Sequence, residues 1–188
     1  MRTATSNNFI MPTNHQDHRF TDRLGKIMAY ITWFLVLGGL TLFFNNWLEK
    51  QHNPNQDVNS AITSEGVKEV QLTRNRAGHY VATGLLNTEP VDFLLDTGAS
   101  DIALPTAIAQ KLNLSKGQPI IYRTANGSVV GYMTTIKRVK LGDIEVFDVA
   151  AGINPGLEEN FVLLGMSFLK QLEFTQRGKT LTIRQYPL

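Results

Sequence analysis

Few side chains in this sequence are equipped for acid–base or nucleophilic work, and Asp96 stands apart by its setting. It follows the apolar run Phe93-Leu94-Leu95 and precedes Thr97-Gly98-Ala99-Ser100, so a carboxylate stands where a buried strand enters a glycine turn. A lone carboxylate is costly to bury, so one placed here needs partners or a use. Asp-x-Gly also ends ordinary hairpins, because Asp and Gly favour turns, and the triplet alone does not separate the two readings. Other chemistries are narrower. The 188 residues contain no cysteine, which excludes disulfide scaffolds, zinc fingers, iron–sulfur clusters and thiol catalysis. His15, His18 and His52 fall in polar segments and read as solvated side chains without a third metal ligand, so no metal site is expected. His79 precedes a strand, lacks a catalytic partner and reads as structural.

The elements that must position Asp96 are short strands. Strand-like runs recur between turn signals at Val70–Thr73, Tyr80–Leu86, Val91–Leu95, Pro119–Thr124, Val129–Leu141 and Ile144–Ile153. Hairpin turns are expected at residues 75–78, at Asn126-Gly127 as a type I′ turn, at Gly142-Asp143 and at Arg177-Gly178. Two short helices fit, one starting at Pro105 and running through AIAQKL, the other following Gly165 as MSFLKQL. Phe161–Leu164 is a second apolar strand that runs into Gly165, and a long hairpin around Asn126-Gly127 lies between it and the Asp96 loop. The pattern predicts an all-β domain, a small barrel or sandwich.

Together these motifs resemble the aspartic proteases of the retropepsin type, in their bacterial membrane-anchored branch. Asp96-Thr97-Gly98-Ala99 is similar to the active-site motif, residues 120–133 around Thr124-Ala125-Asn126-Gly127 to the flap, and Leu163-Leu164-Gly165 to the hydrophobic-hydrophobic-Gly motif before the terminal helix. The three occur in family order over residues 68–188. The resemblance implies a closed retropepsin-like β-barrel half-domain with one or two short helices. It also implies peptide hydrolysis by two carboxylates that share a proton, one activating water while the other polarises the scissile carbonyl. With a single Asp-Thr/Ser-Gly motif per chain, the second carboxylate must come from a homodimer, Asp96 meeting its copy at a two-fold axis. No metal or organic cofactor is implied.

By the same resemblance, Thr97 holds the paired loops by reciprocal hydroxyl hydrogen bonds, and Gly98 lets backbone approach the dyad. Thr124, Ala125, Asn126 and Gly127 close over an extended peptide, Gly131 eases the flap's bending, and Asp101 faces a substrate subsite or solvent. Leu163, Leu164 and Gly165 pack behind the catalytic loop. Two departures matter. Retroviral members carry an Asp two residues after the motif glycine and an Arg after the helix-preceding glycine, paired across the dimer; here Ser100 and Met166 stand at those positions. Ala99 replaces the Ser or Thr of pepsin-like enzymes, which implies activity at milder acidity than pepsin. A competing reading is a noncatalytic dimerisation or peptide-binding module on the same fold, with Asp96 as a turn residue.

The N-terminal third has a different solvent in view. Ile27–Phe44 carries no charge, and its eighteen residues make about 27 Å of helix, close to the hydrocarbon thickness of a bilayer. Tyr30 and Trp33 near one end and Trp47 at the other suit the interfaces. The expected organisation is a cytoplasmic tail at 1–26, a transmembrane signal anchor at 27–48, a flexible polar tether at 49–67 and the protease domain at 68–188. Arg2, Arg19, Arg23 and Lys26 precede the span and only Lys50 follows closely, which places the N-terminus in the cytoplasm. In a Gram-negative bacterium that makes the protein a single-pass one of the inner membrane, with its catalytic domain in the periplasm. Residues 49–188 carry fourteen basic and fourteen acidic side chains within an overall charge of +2, and that neutral body excludes a nucleic-acid partner.

Overall fold

The computed structural model describes residues 16–124, 127–157 and 161–187. The chain divides into two compact units, Met1–Asn46 and Trp47–Leu188. Helix α1 (Gln16–His52) fills the described part of the first and lends its last turns to the second. It outruns the expected 27–48 span at both ends, because the flanking polar residues continue the helix. Its segment Gly25–His52 is long and apolar enough to cross a membrane, with a mean hydropathy of 2.0 over its most apolar window and none of that window buried. The hydroxyls of Thr32 and Thr41 donate to the carbonyls of Met28 and Leu37 at 2.9 and 2.8 Å, so neither presents an unpaired donor to an apolar surrounding.

The second unit is built mainly from strands. β1 (Asn59–Ile62), β2 (Lys68–Thr73), β10 (Glu173–Arg177) and β11 (Thr180–Gln185) form a four-stranded antiparallel sheet in the order β1-β2-β11-β10. Alternation decides its buried face: Val70 and Leu72 of β2, with Leu181 and Ile183 of β11, point into the core. The larger sheet runs β3 (Val81–Leu86), β4 (Glu89–Leu95), β9 (Phe161–Leu164), β5 (Ile102–Leu104), β8 (Ile144–Ile153), β7 (Gly127–Leu141) and β6 (Pro119–Thr124). β3 also pairs with β7 through Leu85↔Lys140 and Leu86↔Val139, which closes six strands into a barrel and leaves β6 paired to the far end of the fifteen-residue β7. Phe93, Ile102, Ile136, Ile144, Ile153 and Leu164 fill the interior and are fully buried. Of the barrel or sandwich that the strand pattern left open, the barrel is observed, and it is the closed all-β barrel that the resemblance implies.

Four local expectations need correction. Residues 49–67 are no flexible tether. Residues 49–52 end α1, β1 pairs with β2, and between them Asn53 and Asn55 are buried at 3% and 5% exposure. Asn55 donates to the carbonyls of Thr73 (2.9 Å) and Val81 (2.6 Å) and accepts the Thr73 N–H at 2.7 Å. Asn53 donates to Thr83 Oγ1 and Asp92 Oδ1, both at 2.9 Å. The folded body therefore starts at Trp47 and not at Lys68, since these polar side chains are spent on backbone and strand partners instead of water. Second, Pro105 is the extended N-cap of α2 (Thr106–Lys111) and lies outside its first turn. Third, α3 (Met166–Leu169) is only four residues long. Fourth, two turns are shifted: Thr124 pairs with Gly127, so Gly127 begins the return strand and is not a central turn residue, and Arg177 pairs with Thr180, so that turn is Gly178-Lys179 and not Arg177-Gly178. Ala125 and Asn126 lie outside the described residues.

Candidate active site

The chain leaves β4 at Leu95, forms the loop 96–101 and returns as β5, while β9 passes between the two strands. β9 runs parallel to β4, with Leu94↔Leu163 and Leu95↔Leu164 opposed, and antiparallel to β5 at Ala103↔Leu163. The loop is thus pinned at its base by a strand that arrives sixty-odd residues later in the sequence. Asp96 donates its N–H to the Leu164 carbonyl at 3.2 Å, and its own carbonyl accepts the Ala99 N–H at 3.3 Å. The carboxylate is oriented by the Gly98 N–H, which donates to Oδ1 at 2.8 Å. Asp96 is half-buried while Thr97 and Gly98 are exposed, so the loop presents a fixed carboxylate beside an open face.

Behind the loop the fit is close. A Cβ on Gly165 would lie 2.6 Å from the Ala99 carbonyl oxygen and would overlap that of Asp101, so only glycine lets α3 approach. The first residues of α3 then donate to the loop: Met166 N–H to the Ala99 carbonyl at 2.8 Å and Ser167 N–H to the Ser100 carbonyl at 2.9 Å. Leu164 is fully buried, and Leu163 is half-buried between β4 and β5. Ser167, buried beside Phe168, accepts the Ile102 N–H at 3.1 Å and donates to the Ala150 carbonyl at 2.8 Å, which ties loop exit, helix and β8 together. Sequence reasoning passed over Ser167. Its one signal is a small hydroxyl inside the apolar run Leu164–Leu169, where a buried hydroxyl must find partners.

The β6–β7 hairpin carries the second set of candidates. Thr124 ends β6 and Gly127 begins β7 with φ +119°. Gly131, further along β7, lies beneath the ring of Tyr122, and the tyrosine hydroxyl sits where a Cβ on Gly152 of β8 would go. Tyr122 was not singled out from sequence. It is marked only by the two glycines that make room for its ring, Gly131 opposite Ile120 and Gly152 opposite Met133, which lie diagonal to it in the sheet and are brought near by the fold, not by spacing. Burial, and then the charge of half-buried Asp101, push the Tyr122 phenol above its ordinary pKa, so it remains a hydrogen-bond donor through neutral pH. A groove of about 850 Å³ between the α2–β6 connection and β7 is lined by Leu112, Leu114, Met133 and Arg138 and by no residue of the Asp96 loop. Among the described residues no cluster of three or more His, Asp or Glu side chains is arranged to hold a metal ion.

Comparison with known proteins places this arrangement. Residues 82–171 match the family model described as "gag-polyprotein putative aspartyl protease". The chain is 29% identical over 168 residues to an uncharacterised protein in the cobV 5′ region of Sinorhizobium sp, covering 85% of this chain and 72% of that one. It is 32% identical over 126 residues to the uncharacterised protein RP867 of Rickettsia prowazekii (strain Madrid E), covering 65% of this chain and 54% of that protein. Among solved structures, a retropepsin-like aspartic protease from Rickettsia conorii is 30% identical, with a TM-score of 0.55, covering 69% of this chain and 96% of the other.

Proposed function

Because the chain belongs to the retropepsin-like aspartic proteases by sequence and fold, we propose that it is an endopeptidase whose active site is completed by a second copy of itself. The observation that carries this reading is the state of the Asp96 loop. Its carboxylate is aimed by the Gly98 N–H, its back is locked by Gly165, Met166 and Ser167, and its front is exposed. A rigid support with an open front suits a group that must meet a partner and a substrate.

The chemistry needs two carboxylates and supplies one per chain. When two Asp96 side chains approach across a two-fold axis they cannot both ionise cheaply, so the pair holds one proton between them and titrates as a unit. The ionised member takes a proton from water as that water attacks the scissile carbonyl carbon. The protonated member donates a hydrogen bond to the carbonyl oxygen, and the proton passes to the leaving amine as the C–N bond breaks. Thr97, exposed beside Asp96, is placed to bond the facing loop. The β6–β7 hairpin, with Thr124, Ala125, Asn126 and Gly127 at its end, closes over an extended peptide and pairs with its backbone. Asp101, with Tyr122 beside it, borders the bound peptide. The charge pattern around Gly25–His52 supports an inner-membrane, single-pass topology in a bacterium, with the N-terminus in the cytoplasm and the body in the periplasm.

The test is cleavage of a diverse peptide library by the full chain in detergent, from acidic to neutral pH, beside Asp96→Asn. The variant should lose about 10²–10⁴-fold in rate with its fold and dimer intact. A wild-type chain that dimerises and binds peptides but cuts none would instead identify a peptide-binding module.

A further inference from the structure

Strand β7 has partners on both flanks towards its two ends, but on one flank only in its middle. On the side away from β8, the Met133 N–H donates to the Gln118 carbonyl and the Met133 carbonyl accepts the Gly117 N–H, both at 2.8 Å. Further along, the Arg138 N–H donates to Asn87 Oδ1 at 3.2 Å, its carbonyl accepts the Asn87 N–H at 2.7 Å, and β3 takes over from Val139. Between these anchors, residues 134–137 have β8 on one flank and, among the described residues, no strand on the other. Alternation from Met133 turns the Thr135 N–H and carbonyl to that open flank. The groove of about 850 Å³ lies along it, within the size range of ligand sites. Resting on the protease reading above, we propose that this groove is an exosite: it takes an acidic, extended segment of a protein substrate, outside the stretch being cut, as an added strand on β7.

The shape of β7 sets the charge of the groove. A regular strand alternates, yet Ile136 and Val139 are both fully buried, so Lys137 and Arg138 between them both turn outward. β8 slips at the same place: Val146 and Val149 are buried, and Asp148 between them has φ +50°. Lys137 and Arg138 both line the groove, and among the described residues no carboxylate does. Asp148, on β8 between the Ile136↔Val149 and Arg138↔Phe147 pairs, lies outside that lining and makes no ion pair with either cation among the described residues. Glu89, next to the lining residue Thr88, is already held by Lys111 at 2.7 Å. Apolar contact comes from half-buried Leu112 and Leu114 of the α2–β6 connection and from Met133, 47% exposed. An extended acidic peptide answers all three features. Its backbone pairs with Thr135, apolar side chains reach the leucines and Met133, and carboxylates reach Lys137 and Arg138. Because β7 is also the return strand of the hairpin proposed to close over the scissile stretch, one strand holds both parts of the substrate.

The probe is a short fluorescein-labelled peptide of alternating Val and Glu, titrated by fluorescence anisotropy against the full Asp96→Asn chain in detergent, beside its Val–Lys counterpart. The Val–Glu peptide should bind, the Val–Lys peptide should not, and added salt should weaken the complex. Lys137→Glu combined with Arg138→Glu, which replaces two outward-facing side chains, should lower the affinity about tenfold or more. Methylating the peptide's backbone nitrogens should lower it likewise, because it removes the donors that an added strand supplies. Equal binding of the two peptides, or binding indifferent to the double charge reversal, overturns the proposal. The substrate role is read from a cleaved library peptide extended by the Val–Glu stretch through a flexible linker. Its KM should fall about tenfold at unchanged kcat, and the double variant should erase the difference. A KM that ignores the extension overturns that role. The two readings fail separately: cleavage of peptides without binding in the groove refutes only the exosite, whereas groove binding by a wild-type chain that cuts nothing leaves an acidic-peptide docking site and refutes the protease.

Discussion

A glycine and a tyrosine show how far single residues in this barrel depend on partners remote in sequence. Tyr122 reaches from β6 across β7 to lay its hydroxyl over Gly152, and a Cβ there has no room unless the ring moves. Gly152→Ala should therefore destabilise the body by about 1–3 kcal/mol, the range for overpacking a filled site. Combined with Tyr122→Ala, most of that added loss should vanish, because the atom that clashes is gone; urea titrations of the four proteins of the cycle measure the coupling. Strict additivity would mean that the ring does not occupy the glycine's space. Asp96 differs in kind. Its type and its neighbours Thr97 and Gly98 were legible in the sequence because the motif is contiguous, whereas Ser167 and Tyr122 became visible only when the fold brought their partners together.

The elements repeat that lesson. β3, β4, β6, β7 and β8 were legible within two residues or so at each end, since each is a run of alternating or continuous apolar residues between turn formers. β5, three buried residues after a glycine turn, is too short to show a period, and fully exposed β10 has no apolar face to read. The segment at 49–67 misled for a physical reason. Asparagine is common in flexible segments because it bonds water readily, but Asn53 and Asn55 find backbone and side-chain partners eighteen to thirty-nine residues away. Asn55→Ala removes side-chain bonds to Thr73 and Val81 in a buried site, and should cost about 2–4 kcal/mol. The urea midpoint should fall at unchanged slope, and residues 53–62 should become the first site of proteolysis.

The smaller sheet also carries a pH dependence. The Glu69 carboxyl is held below its ordinary pKa first by the Gln71 side-chain amide at 2.9 Å and then by the Arg184 guanidinium at 2.8 Å across β2 and β11. A carboxyl whose folded-state pKa is depressed adds stability in full above its unfolded-state value and loses it as pH falls through the folded one. Glu69→Gln should therefore lower the melting temperature by a few degrees at most at neutral pH, given the exposure of the pair, and the gap to wild type should close below the ordinary carboxylate range. A gap that persists at acid pH would assign the loss to packing of the side chain.

For the whole molecule, the question that the proposed dimer raises is what would hold two Asp96 loops together, since Ser100 and Met166 stand where the retroviral members carry a paired Asp and Arg. Ser100 and Met166 engage α3 and the loop through backbone groups of their own chain, so neither brings charge to a dimer. Without that pair, two bodies are expected to associate with modest affinity. A body alone in solution should then obey mass action, with specific activity rising steeply with concentration. Two chains anchored by Gly25–His52 in one bilayer search a surface in place of a volume, and their effective concentration can rise about a hundredfold or more without a new contact. The measurement is peptide cleavage by residues 47–188 in solution against the full chain in vesicles. For the full chain, activity per molecule should ignore bulk dilution and fall when the protein is diluted with added lipid, whereas the body should respond to bulk dilution alone. A body that remains dimeric and fully active at nanomolar concentration would show that the anchor contributes location without assembly.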